Sequence, residues 1–491
     1  MATKGRQIAP SSAQAWALAL ASVASFMVVL DQLVVATALS TIRRDLGASV
    51  EQLEWTVNAY TLSFAVLLMT ASALGDRFGR RRLFSIGLGL FAAASAACAL
   101  APSVSWLIAA RAVQGAGAAL VMPLALALLN SAFPPQRRGW AMGIFGGVTG
   151  LAALIGPVPG GAITQGIAWP WIFWLNVPIA LLAIPLVLGR IQESYGARAA
   201  LDIPGLGLGG CAALGLVWGL VRGNAAGWGS PEVVAALVAG ALLAVAFVGW
   251  EVRARAPMLP MRLFRSRAFS AGNTAVFFLN ASLTGAVFFM AQFQQITLGQ
   301  GPLDAGLRLL PWGITPFLIA PRAGALADRL GERPLIITGL LLQTAGMAWI
   351  ALIATPGVAY PTMIAPMVIS GCGFAIAIPA VTKAVVSSVA QGDIGKASGA
   401  FSTMRQLGGA FGVATLVAVF AAAGSYASGH AFSDGFAPAM GVSAGLSLAG
   451  AVAGLVLPGR RVPAGSTAAH AVPALGAQVA AERTSQTQAG R

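Results

Sequence analysis

Two charged residues lie where charge is expensive. Asp31 falls inside an apolar run of about residues 15–38, and Arg111 inside another of about 105–128. A charged side chain at the centre of a membrane span costs about 2.5–3.5 kcal/mol, so it faces a partner or a polar cavity. A carboxylate placed there can exchange a proton and attract a cation. An arginine stays charged and cannot carry the proton, but it can balance an acid or hold a water network. Asp31 and Arg111 therefore point to proton coupling. The plainer alternative is an ion pair that only holds helices together.

Three further groups could act with them. Asn273, Asn280, Thr284, Phe288, Gln292 and Gln295 follow at intervals of 7, 4, 4, 4 and 3, which is one helix face. A polar face against lipid is costly, so Asn280, Thr284, Phe288, Gln292 and Gln295 are expected to line a substrate cavity; hydrogen bonding between helices is the alternative. Gly156-Pro157-Val158-Pro159-Gly160-Gly161 interrupts an apolar run, as a packing kink or as a point that bends and seals during a conformational cycle. The stretch Ser72–Arg82, with Asp76, Arg77, Gly79 and Arg80, reads as a tight basic loop. A similar stretch, with Asp328 and Arg329, returns 252 residues later. These charges are expected to exchange ion pairs between helices, or else to serve only as topology signals.

Other chemistry is not indicated. Cys98, Cys211 and Cys372 lie in apolar runs and read as small buried hydrophobes. His430 and His470 are isolated, which gives no metal site. No phosphate-cradling Gly-x-x-x-x-Gly-Lys-Ser/Thr run occurs, so direct drive by ATP is not expected. No cofactor and no enzyme activity are expected. The net charge of +15 is spread over short connections with no continuous basic face, which argues against a nucleic-acid partner.

The elements that must position these residues are membrane helices. Hydrophobic residues make up 57% of the chain and charged residues 9%, against about 25% charged in soluble proteins. By the ~20-residue rule there are fourteen spans, at roughly 15–38, 53–74, 83–101, 105–128, 140–163, 171–189, 203–221, 232–250, 270–298, 305–325, 334–353, 360–382, 397–421 and 437–457. Acidic residues other than Asp31 fall at span ends, in loops or in the tail. No cleavable leader is expected; the first apolar run reads as a span. Of the 30 Lys and Arg residues, 24 fall in one set of alternate connections and 4 in the other. That bias puts both termini in the cytoplasm.

The repeat extends further. Gly115, Gly117 and Pro123 recur as Gly371, Gly373 and Pro379, and Gly139, Ala141 and Gly143 as Gly395, Ala397 and Gly399, both at an offset of 256. The fold expected is all-α and integral to the membrane, with 14 transmembrane helices as 6+2+6 in two pseudo-symmetric six-helix halves. Residues 1–14 form a cytoplasmic N-terminus, 15–200 the first half, 201–252 two extra helices, 253–458 the second half, and 459–491 a disordered cytoplasmic tail. Parallel repeats of this kind place a substrate site at the interface between halves.

Together these motifs resemble the major facilitator superfamily, and within it the 14-helix drug:proton antiporters. Ser72–Phe84 resembles its signature loop, and Leu30–Leu39 the first-helix motif, with Ser40 where Pro is usual. Leu107-x-x-x-Arg111-x-x-Gln114-Gly115 resembles the fourth-helix motif, whose Arg is assigned to proton coupling. Gly143–Gly161 resembles the fifth-helix motif of antiporters, with Ala152 replacing one glycine. Trp169–Phe173 and Asn176-x-Pro178 resemble the opening of the sixth helix, with Pro170 in place of a usual Arg. The resemblance implies a monomeric, multi-pass carrier of the cytoplasmic membrane that exports small amphipathic drugs or antibiotics in exchange for protons. A proton-coupled importer of a metabolite on the same fold, and a non-transporting membrane sensor, are the rival readings.

Overall fold

The computed structural model describes residues 12–196, 201–390 and 393–458, and among them are helices, turns and no strand. The cytoplasmic N-terminus expected over 1–14 falls mostly outside these residues, and the tail expected over 459–491 entirely so. The first group of helices is α1 (Ser12–Leu46), α2 (Val50–Phe78), α3 (Arg80–Ala99), α4 (Val104–Ala132), α5 (Pro135–Ile155), α6 (Pro157–Gly166), α7 (Trp171–Trp174) and α8 (Asn176–Arg190). Two helices follow, α9 (Ile203–Ala226) and α10 (Pro231–Arg253). After a short 3-10 turn, Met261–Arg265, the last group is α11 (Arg267–Ile296), α12 (Pro302–Arg308), α13 (Leu310–Leu330), α14 (Glu332–Ile353), α15 (Tyr360–Ser387), α16 (Ile394–Ala423) and α17 (Gly429–Leu455).

Among the described residues twelve helices are long and apolar enough to cross a membrane, with Trp171–Arg190 taken as one. The other two expected spans, 140–163 and 305–325, are each divided. Pro157 opens α6 and Pro311 lies in the first turn of α13. A proline has no N–H to continue the ladder, so each helix breaks there. Gly156 keeps helical angles across its break.

The Ser72–Arg82 stretch is not a loop. α2 runs through Phe78 and α3 starts at Arg80, so Gly79 alone makes the turn, at φ +106. Gly331 makes the same turn between α13 and α14, at φ +88. Glycine occupies that region without the penalty a Cβ brings. The repeat also reappears in packing. Gly115 of α4 lies on the Tyr60 backbone of α2, as Gly371 of α15 lies on the Trp312 backbone of α13. Gly117 meets Phe91 of α3, as Gly373 meets Gln343 of α14. Small residues at crossings let membrane helices approach closely.

α9 packs on α10 and also lies along α2 and α16, one helix from each group. Asn224 Nδ2 donates to the Ala418 carbonyl, Arg222 sits 3.3 Å from Glu51, and the Trp55 and Trp218 rings lie 5.6 Å apart. The inserted pair thus covers the seam between the two groups. α10 turns Leu242, Val245 and Val252 outward. An apolar outer face suits hydrocarbon and not water. Cys211, expected to be buried, is exposed on α9, while Cys98 is buried and Cys372 half-buried. Both sides of such a span are apolar, so composition does not separate inside from outside.

Take the near end as the one where α1 starts and α17 finishes. Toward the far end a single apolar cluster joins both groups, including Leu39, Phe173, Phe289, Phe420 and Phe436. Toward the near end each group has its own cluster, around Phe84 and Phe91 in one and Phe269 and Leu335 in the other. Met69 of α2 reaches into the second.

Candidate functional site

Asp31 and Arg111 meet. The sequence that folds around them is small and apolar, so α1, α2, α4 and α8 pack closely enough to bury both. Asp31 is 2% exposed and Arg111 1%. Arg111 Nη1 donates to Asp31 Oδ2 at 2.5 Å and to Gln114 Oε1 at 2.6 Å, and Nε donates to Thr56 O at 3.1 Å. The Tyr60 ring lies under the guanidinium at 4.2 Å. Asp31 Oδ1 accepts from Gln114 Nε2 and Asn176 Nδ2, both at 2.8 Å. Gln114 Nε2 also donates to Ser95 Oγ at 2.8 Å. Every oxygen of the carboxylate is engaged. This is how an ion pair persists in a low-dielectric interior: both charges are paired and their remaining sites filled.

Gln114, Asn176 and Ser95 were not assigned a role from sequence. Gln114 had a signal, since it lies one turn beyond Arg111 on the same helix face. Asn176, from another helix, stood only in the Asn176-x-Pro178 stretch, and Ser95 had no signal.

The last group carries a neutral counterpart. Gln343 Nε2 donates to Ser282 Oγ at 3.0 Å, Ser443 Oγ lies 2.8 Å from Ser282 Oγ, and Ser447 Oγ donates to it at 2.7 Å. Its helices, α11, α14 and α17, stand in their group where α1, α3 and α8 stand in theirs.

The polar stripe of α11 divides. Asn273 is buried and donates to Phe269 O at 2.9 Å. Asn280 and Thr284 are half-buried. Phe288 is buried in the core that joins the groups. Gln292 Oε1 accepts from Tyr426 Oη at 2.5 Å. Gln295 Nε2 donates to Thr37 O at 3.0 Å, and its Oε1 accepts from Ser40 Oγ, so it ties α11 to α1. Arg43 of α1 stacks on Tyr426 at 4.4 Å. Burial raises the Tyr426 hydroxyl above its ordinary range, and the nearby Arg43 charge only partly offsets this. Beyond these contacts a cavity of about 410 Å³ is lined by Ser40, Arg43, Arg44, Gln295, Ile296, Gln300 and Pro302, among others.

The Gly-Pro run packs closely at the same end. A Cβ on Gly160 would sit 2.8 Å from Val34 O of α1, and one on Gly161 would sit 2.7 Å from Leu303 Cα of α12. Gly156 faces Leu33, and Gly306 of α12 faces the Pro157 backbone. These glycines let α6 lie flat on both groups.

The basic stretch forms one ion pair between helices, from α2 to α3. Asp76 pairs with Arg80 at 2.8 Å, one turn away across Gly79. The Asp76 carbonyl accepts from Gly196 N at 3.1 Å, and Glu193 caps α3 by accepting from Arg81 N and Arg82 N. Arg77 stacks on its neighbour Phe78 at 5.3 Å. Its contacts are therefore within the first group. Asp328 and Arg329 lie in α13, and their side chains are outside the described residues.

One acid was misplaced from sequence. Glu54 was taken as a span end, yet it is fully buried on α2. Asn58 Nδ2 donates to Glu54 Oε1 at 3.2 Å. Glu54 Oε2 and Asn58 Oδ1 are buried with no hydrogen-bond partner among the described residues.

The family model described as Major Facilitator Superfamily matches residues 21–413. The tetracenomycin C resistance and export protein of Streptomyces glaucescens is 35% identical over 411 residues, covering 83% of this chain and 76% of that protein. The cephamycin export protein CmcT of Amycolatopsis lactamdurans is 36% identical over 426 residues, covering 85% and 87%. Among solved structures, a POT family transporter in complex with 5-aminolevulinic acid superposes with a TM-score of 0.66 at 16% identity. It covers 88% of this chain and 94% of its own, a likeness of fold.

Proposed function

The chain belongs to the major facilitator superfamily, and from that premise we propose that it exports small amphipathic antibiotics or drugs across the cytoplasmic membrane in exchange for protons. It is a multi-pass membrane transporter and not an enzyme. The names of its relatives support export of a small molecule. Reading α5–α6 and α12–α13 as one broken span each would make 14 spans in a 6+2+6 order. The excess of Lys and Arg in one set of connections supports cytoplasmic termini. The protein acts as a monomer and needs no cofactor.

The observation that carries the proton step is the buried Asp31–Arg111 pair. Protonating Asp31 removes the charge that balances Arg111. Breaking one side of a buried pair costs about 3–5 kcal/mol, so protonation is favourable only where the helices rearrange to compensate. This requirement ties proton loading to the conformational change. The state described here has one apolar core joining the groups toward the far end and separate cores toward the near end, and is then read as the one open to the cytoplasm. Opening the far end would separate Gln295 from Thr37 and Ser40, and α6 from α12. Asp31 would then load a proton from outside. One charge moving through 100 mV supplies about 2.3 kcal/mol, enough for roughly a 50-fold gradient.

The test is transport in inverted membrane vesicles energised to an acid interior, offered fluorescent cations and neutral antibiotics. Proton release on adding a compound, absent in Asp31→Asn, supports the antiporter. Proton-coupled transport that survives in Asp31→Asn sinks the role given to Asp31. Compound movement in the opposite direction favours an importer.

A further inference from the structure

Arg405 lies near the middle of α16. The chain's other mid-span arginine, Arg111, is matched by an acid, an amide, a carbonyl and a ring. Arg405 has none of these among the described residues, and no charged group from any neighbouring helix acts on it. It is enclosed by helices yet keeps part of its surface accessible. A guanidinium does not lose its charge at this depth. An unbalanced cation within a span is costly, which marks it as a site for a counter-charge.

The surroundings are suited to an anion. Gln406, the next residue, is buried with its Nε2 donor unpartnered among the described residues. α11 and α16 run in the same direction and touch closely, Gly408 on Phe277 and Gly412 on Ala281. Thr284 Oγ1 lies against Gly409. One turn back along both helices sets Asn280 level with Arg405. Asn280 and Thr284 are the half-buried members of the α11 stripe.

We propose that Arg405 binds the anionic group of the substrate, a carboxylate or similar oxyanion on an amphipathic compound, with Asn280 and Thr284 beside it. The proposal rests on the exporter function given above and names its substrate class. A guanidinium presents two parallel N–H donors to a carboxylate, and the low dielectric strengthens them. Moving an anion out and a proton in both shift positive charge inward, so the exchange draws on the membrane potential twice.

The experiment is equilibrium binding to the purified full-length protein at pH 7. The probes are anthracene-9-carboxylate, naphthalene-2-carboxylate and their methyl esters, followed by fluorescence. The wild type is expected to bind an acid about tenfold tighter than its ester, the value of one charge-assisted hydrogen bond. Arg405→Gln should lose that preference while keeping ester affinity, which reports an intact fold. Equal binding of acids and esters by the wild type, or an acid preference that survives in Arg405→Gln, overturns the proposal. If Arg405→Gln does not fold, Asn280→Asp carries the test by setting a fixed counter-charge level with the guanidinium. Loss of the acid preference there supports the site, and an unchanged preference overturns it. Flux is read separately. Acid binding without proton exchange would remove the antiport reading and leave the site standing.

Discussion

Arg111 Nη1 and Asp31 Oδ2 lie 2.5 Å apart, joining α4 to α1 in a pocket that excludes solvent. The pair is both a structural tie and the one mid-span acid–base contact between these helices, and mutation can separate the two roles. Asp31→Asn and Arg111→Gln should each lower stability by about 3–5 kcal/mol, because each leaves one buried charge unmatched. The double variant should lose less than the sum. Thermal unfolding in detergent measures the cycle. If the double variant restores stability but not proton-coupled flux, the pair couples protons; if it restores both, the pair only packs helices.

Glu54 predicts the opposite sign. Its Oε2 is buried without a partner among the described residues, and its Oε1 needs only the Asn58 amide. Glu54→Gln replaces a buried carboxyl that meets no cation among the described residues and can keep the contact to Asn58 through its carbonyl oxygen. The variant is expected to melt at a temperature equal to or above that of the wild type. A marked drop would mean that the carboxylate is held by an interaction formed in another state.

The far-end seal makes a mechanical prediction. Ser40 and Gln295 are hydrogen-bonded across the two groups. Cysteines at both positions, bridged by a short bis-maleimide, should stop transport while leaving the fold intact. Either single cysteine should transport normally after the same treatment. Transport that continues through the bridged protein would show that this seam does not open in the cycle.

Gly161 tests the same seal without cross-linking. A Cβ there collides with the Pro302–Leu303 backbone, so Gly161→Ala should weaken closure of the far end. A cysteine at Gln295 should then react faster with a membrane-impermeant maleimide than it does beside Gly161. An unchanged labelling rate would place the opening elsewhere.

Asp202 gives a pH signature at the junction of the inserted helices. Burial pushes its carboxyl upward, but hydrogen bonds from Gly205 N, Trp250 Nε1 and Met258 N outweigh that and hold it below its ordinary value. A depressed carboxyl stabilises the fold above the unfolded value of about 3.9, and the contribution is lost as pH falls through the lower folded value. The melting-temperature gap between wild type and Asp202→Asn should shrink below about pH 4. A gap that widens on acidification would contradict the assignment.

The sequence by itself determined the all-helical membrane class, and it marked the two mid-span charges, Asp31 and Arg111, that meet in the structure. Those features are local: a charge inside an apolar run is visible without knowing what surrounds it. The repeat was legible because Gly79 and Gly331 answer a backbone demand that only glycine meets readily. Tertiary structure decided what covers each face. A helical period shows that Asn280, Thr284, Gln292 and Gln295 share one side. It does not show that the last two are spent on Tyr426 and α1 while the first two stay half-open. Glu54 lies near a helix start, where acids are usually solvated, and only the packing around α2 buries it. Arg405 looked like one more arginine in a span. What separates it from Arg111 is the absence of a partner among the described residues, and partners come from other helices.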